Sequence, residues 1–208
     1  MSICNRLLSH TLLAVSAAVS FSATASAAIS VWNCNLTIPA NTTGLFFNVD
    51  ARTSGTSNVP GWDLQIYSNA ASPSIVFYYA TGAGVAAGSP PSYLPAANLA
   101  LGTVVGSSTF FTTINDGSTP ATFYGSGPSA IGMWFVNAVN YFGFKFTASD
   151  GNVHYGFGQM TVGANANTRK LNFLAYETVP GDPITVTPAP GVLGLAGLCG
   201  LARSRRRR

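Results

Sequence analysis

Between residues 29 and 179 the apolar side chains alternate with polar ones in a series of short runs, and no long stretch sustains a helical period. The stretch Trp62-Asp63-Leu64-Gln65-Ile66-Tyr67 alternates so that Trp62, Leu64 and Ile66 are expected to share one face, toward the core. Upstream, Leu45, Phe47, Val49 and Ala51 alternate with Phe46, Asn48, Asp50 and Arg52. Further runs at 75–79, 110–114, 121–124, 131–136, 141–147, 153–162 and 171–176 are rich in aromatic or β-branched residues and bounded by Gly, Pro, Asn, Asp or Ser. A chain built this way can bury only one side of each segment, so it must pair its segments into sheets and cover a face of each. The pattern predicts an all-β fold, a single antiparallel β-sandwich of jelly-roll type with about eight to ten strands, over residues 28–179.

Turn chemistry fits that expectation. Ser149-Asp150-Gly151-Asn152 separates two strong strand patterns, and Asn115-Asp116-Gly117 does the same before Ala121; Asp-Gly supplies the positive φ of a tight hairpin. Residues 82–98 hold Gly82, Gly84, Gly88, Pro90, Pro91 and Pro95 without periodicity, which predicts a long surface loop. Residues 180–187 begin with Pro180 and include Pro183, which predicts an extended linker.

The two ends have a different character. Arg6 precedes a mostly apolar stretch at 7–21, and Ala25-Ser26-Ala27 follows as a small-x-small pattern. This predicts a signal helix over residues 1–27, cut by signal peptidase near Ala27 or Ala28, with Ala25 and Ala27 as the recognised residues. At the other end, Pro188-Ala189-Pro190-Gly191 is followed by an apolar run from Val192 to Ala202 and by Arg203, Arg205, Arg206, Arg207 and Arg208. Arginines stay on the cytoplasmic side of a membrane while an apolar run enters it.

This order of parts, over residues 188–208, resembles the C-terminal sorting signal of the PEP-CTERM family. The resemblance implies a transient membrane anchor through a short C-terminal apolar helix, and processing by an exosortase-like membrane protease. It further implies delivery to the cell surface or extracellular matrix, with exopolysaccharide as a candidate partner. Two departures are visible. Ala189 stands where the family carries an acid, a Pro-Ala-Pro variant. Residues 191–202 as a helix would span about 18 Å, against about 30 Å of hydrocarbon. A second likeness covers residues 139–184. Tyr141-Phe142-Gly143-Phe144-Lys145-Phe146, His154-Tyr155-Gly156-Phe157 and Ala175-Tyr176-Glu177 look like the closing strands of exported surface proteins. There Gly143, Gly156 and Gly158 are expected to bare one sheet face for neighbouring rings, while Phe142, Phe144 and Phe146 point to the core.

With the ends set aside, the chain's net charge of +4 disappears. Between residues 29 and 187 the cations are Arg52, Lys145, Arg169 and Lys170, and the acids are Asp50, Asp63, Asp116, Asp150, Glu177 and Asp182. A slightly acidic body has no basic patch for phosphates, so nucleic acid is not an expected partner. Cys34 is the only cysteine between the ends, so no disulfide is expected within the mature domain, and no Cys/His spacing suggests zinc.

Catalytic groupings are hard to assemble. His154 is the only histidine outside the leader, and no Gly-x-Ser-x-Gly elbow is present to complete a triad. Asp50 and Asp63, on separate segments, are the carboxylate pair that glycoside hydrolysis would require. Asp116 and Asp150 are the loop acids for a calcium site, without Asp-x-Asp-x-Asp spacing. No cofactor, metal or catalytic residue is expected. The sequence favours a non-catalytic surface or matrix protein. The alternatives are a carbohydrate-binding module stacking sugars on Trp32, Trp62 or Trp134, and a hydrolase.

Overall fold

The computed structural model describes residues 28–68, 74–88, 95–112, 118–121, 134–165 and 167–188. The expected signal helix, the apolar run with its arginines and the Asn115-Asp116-Gly117 turn lie outside them. The described residues are all-β, and every strand pair is antiparallel.

The strands are β1 Ile29–Trp32, β2 Leu36–Thr37, β3 Leu45–Asn48, β4 Thr53–Gly55, β5 Leu64–Tyr67, β6 Ile75–Tyr79 and β7 Gly84–Ala86. They continue as β8 Val104–Val105, β9 Phe111–Thr112, β10 Ser118–Ala121, β11 Ala138–Thr147, β12 Val153–Val162, β13 Arg169–Glu177 and β14 Ile184–Thr185. A seven-stranded sheet runs β1-β13-β12-β11-β7-β9, with β2 also on β13. A five-stranded sheet runs β10-β6-β5-β3-β4, and β14 pairs with β8.

The large sheets face one another across a shared core. Leu45, Phe47, Leu64, Ile66, Ile75 and Phe77 come from the five-stranded sheet, and Phe142, Phe144, Phe146, Met160 and Leu174 from the seven-stranded one. Phe77 meets Phe142 at 4.9 Å between ring centres, and Trp32 meets Phe47 edge-on at 6.2 Å. The reverse face of the seven-stranded sheet is covered too. Tyr155, Phe157, Phe173 and Ala175 pack there under Val105, Ile184 and Val186. Burial on both faces explains why β11 to β13 are dense in aromatic and aliphatic residues on alternate and intervening positions.

Glycine makes the ring packing feasible, with one change from expectation. Phe142 lies opposite Gly158 and Phe144 opposite Gly156. A Cβ on either glycine would overlap the opposing ring. Gly143 belongs to the other face, beneath Leu99, Val105 and Ala86, because alternation along β11 sends it away from its Phe neighbours.

Four further expectations are corrected. Residues 82–98 are not simply a loop, since β7 inserts there between β11 and β9 with Val85 and Ala86 buried. Residues 180–187 are not a free linker, because Ile184 and Val186 are buried and β14 pairs with β8. The 45–52 alternation holds through Val49, which joins Leu45 and Phe47 in the core, and breaks after it, where Ala51 is exposed, its amide bonds the Asn48 side chain and Arg52 sits at φ 54°. The Trp62 register also breaks. Leu64 and Ile66 enter the core, but Trp62 precedes the strand and contacts Phe46 and Tyr78 on the opposite face. Asp63 and Gln65 are buried as well, at 5% and 8% exposure.

Candidate functional site

Polar side chains gather where the β11–β12 turn meets the turn after β3. Residues 148–152 close the hairpin, with Gly151 at φ +79° and the Asn152 amide donating to Asp150 Oδ1 at 2.8 Å. Asp50, just after β3, reaches across from the other sheet and accepts the Ser149 amide at 2.8 Å. His154, the second residue of β12, projects from the core face between Phe146 and Tyr176. Its Nδ1 is 2.8 Å from the Glu177 carbonyl oxygen and its Nε2 is 3.2 Å from Asp150 Oδ2. Asp50, Ala148, Ser149, Asp150, His154, Tyr176 and Thr178 line a pocket of about 290 Å³.

The electrostatics are those of satisfied groups. Burial alone would raise the Asp50 carboxyl, but donors from the Ser149 side chain and amide and from Ala51 outweigh it and hold the group below its ordinary value. Asp150 is held low by the Asn152 amide first, then by the Asn152 side chain and His154. Both nitrogens of His154 face oxygen acceptors. A general base in a Ser-His-Asp arrangement needs one nitrogen on the acid and the other on a hydroxyl. The second nitrogen here is committed to a backbone carbonyl, so the pocket does not present a triad through His154.

Asp63 does not line this pocket. Its Oδ2 accepts the Val49 amide at 2.8 Å. Burial pushes its carboxyl up to about 7; the Val49 bond opposes this and the charge of Asp50 adds to it. Cys34 is a free thiol, pushed up to about 12 by burial, with its Sγ–H directed at the Trp32 carbonyl. A thiol so resistant to ionisation is a poor nucleophile. Arg169 is buried on β13 and donates to the carbonyls of Ser74 and Pro39; burial lowers its guanidinium to about 10. Among the described residues no group of three or more His, Cys, Asp or Glu is placed to hold a metal ion.

The three tryptophans separate sharply. Trp134 is fully buried and donates its indole N–H to the Ala96 carbonyl, so it offers no stacking face. Trp32 is half-buried against the core. Trp62 is half-buried on the outer face of the five-stranded sheet, stacked on Tyr78 at 5.6 Å and 17°, with Phe46 edge-on at 5.3 Å.

Of the sorting residues, Pro188 is described and exposed, two residues beyond the buried Val186. Ala25, Ala27, Ala189, Pro190, Gly191, Arg203, Arg205, Arg206, Arg207 and Arg208 lie outside the described residues, as does Asp116. Among the described residues no helix is long and apolar enough to cross a membrane. Sequence reasoning missed Glu177, a buried acid that accepts the Ala28 and Val179 amides. An acid closing the Phe173-Leu174-Ala175-Tyr176 stretch of β13 was the available signal. Comparison with family models, curated proteins and solved structures finds no match for this chain.

Proposed function

We propose that this chain is an exported, non-catalytic protein of the cell surface or extracellular matrix, with a jelly-roll-like β-sandwich body and a PEP-CTERM-like sorting tail. The observation that carries the reading is the order of parts after the body: Pro188-Ala189-Pro190-Gly191, an apolar run, then Arg203, Arg205, Arg206, Arg207 and Arg208. The Ala25-Ser26-Ala27 pattern at the other end agrees with it. The fold supports the reading in one respect. The packed body closes at Val186, and the motif begins two residues on, at the exposed Pro188. Signal peptidase, an exosortase-like protease and the membrane are the partners of this route, and exopolysaccharide is the matrix component it leads to.

Mass spectrometry of protein recovered from the cell surface tests both ends. The expected species starts at or next to Ala28 and lacks Arg205, Arg206, Arg207 and Arg208. Replacing those four arginines with serine should release unprocessed protein to the medium. Surface protein that retains Met1 refutes export through a cleaved leader. Surface protein that retains its terminal arginines refutes processing of the tail.

A second reading, a carbohydrate-binding module, draws on the Phe46–Trp62–Tyr78 cluster, whose half-exposed indole has the flat apolar face that sugar C–H groups stack against. A glycan panel probed with the mature protein and with Trp62→Ala distinguishes it. Binding lost in Trp62→Ala supports the module, and an empty panel removes it.

A further inference from the structure

Glu177 ends β13 and is 4% exposed. Its Oε1 accepts the Ala28 backbone nitrogen at 3.0 Å and the Val179 amide at 3.2 Å. The geometry around Ala28 is fixed from the other side as well, since the Thr178 amide donates to the Ala28 carbonyl at 3.0 Å. The β1–β13 ladder then begins at Ile29 opposite Glu177. Among the described residues no lysine or arginine pairs with Glu177. Its partners are two backbone N–H groups, with no cation beside it among those residues. The nitrogen it faces belongs to the residue immediately after Ala25-Ser26-Ala27.

We propose that Glu177 is the docking site for the new amino terminus that leader removal creates at Ala28, so that maturation locks the first strand onto the last strand of the large sheet. The inference rests on the export reading above. In the cleavage, water adds to the Ala27 carbonyl carbon and the C–N bond to Ala28 breaks. Ala27 departs as a carboxylate with the leader, and the Ala28 nitrogen gains protons to become an ammonium at neutral pH. The single neutral N–H that faced Glu177 becomes a three-donor cation at the same place. A charge-assisted bond is about twice as strong as a neutral one, and here it forms on a carboxyl already withdrawn from water. Cleavage after Ala27 satisfies this geometry. Cleavage after Ala28 removes the residue that makes the contact, and cleavage further upstream leaves residues between the charge and Glu177.

The test uses exported, full-length precursor with its own leader, in four forms: wild type, Glu177→Gln, a Gly-Ser insertion between Ala27 and Ala28, and both changes together. Mass spectrometry reads each amino terminus, and urea unfolding reads stability. Wild type should begin at Ala28. The insertion, which leaves Gly-Ser ahead of Ala28, should lower the folding equilibrium constant about tenfold or more, and Glu177→Gln should do likewise. Their combination should cost no more than the larger single change, because both remove one interaction. An insertion that leaves wild-type stability unchanged overturns the proposal whether or not Glu177→Gln folds, and an insertion that costs as much in Glu177→Gln as in wild type overturns it too. A leader cut elsewhere overturns it while export stands. A leader never cut overturns the export reading itself.

Discussion

Asp63 is the residue with the clearest pH signature. Its carboxyl is withdrawn from water beside β3, and burial, with Asp50 adding to it, raises the group to about 7 from an ordinary 3.8. Between those two values the folded chain keeps a proton that the unfolded chain has released. Stability therefore falls as pH rises from about 4 to about 7 and levels off above that. Asp63→Asn keeps an acceptor for the Val49 amide and cannot ionise. Urea midpoints measured across this window should decline in wild type and stay flatter in Asp63→Asn. Equal slopes in the two proteins would show that Asp63 is not the group responsible. Asp50 and Asp150, both held low by donors, contribute the opposite sign, and only as pH drops through the acid range.

The β11–β12 hairpin shows what an element needs beyond alternation. Phe142 and Phe144 lie flat because Gly158 and Gly156 face them. Gly158→Ala should cost about 1–3 kcal/mol through forced ring displacement, read as a lower urea midpoint with an unchanged slope. A neutral result would mean that the ring moves aside without penalty. These long strands were legible from sequence, since β12 spans Val153–Val162 as the aromatic alternation indicates. Of the short ones, β6 was legible at Ile75–Tyr79, but the shortest were not. β7 is Gly84–Ala86, where small residues leave no amphipathic trace and the pairing with Phe144 and Lys145 fixes the strand instead. Trp62 misled for a related reason: the regular strand starts only at Leu64, so alternation counted through Asp63 assigns the indole to the wrong face. The His154 pocket was half legible. The Asp150-Gly151 turn and the histidine were visible, whereas Asp50 arrives from the other sheet through a contact 99 residues distant in sequence.

At the scale of the whole molecule, the body extends beyond the last long strand. Ile184 and Val186 close the apolar surface of Tyr155, Phe157 and Phe173, and fully burying each such aliphatic side chain is worth about 1.5–3 kcal/mol. A chain ending at Val179 should therefore be less stable, and should bind a hydrophobic dye, while one ending at Thr187 should match the full body in both measurements. Dye binding by neither chain would show that β14 covers nothing of consequence. The pairing of β1 with β13 has a consequence in time. Ile29 waits for Glu177 and Trp32 for Leu174, so the first strand to emerge finds its partner almost at the end of synthesis. Contacts that distant close slowly, because loop entropy must be spent before they form. A chain that completes its largest sheet only with one of its last strands leaves β1 and β12 without their shared partner until synthesis is nearly over.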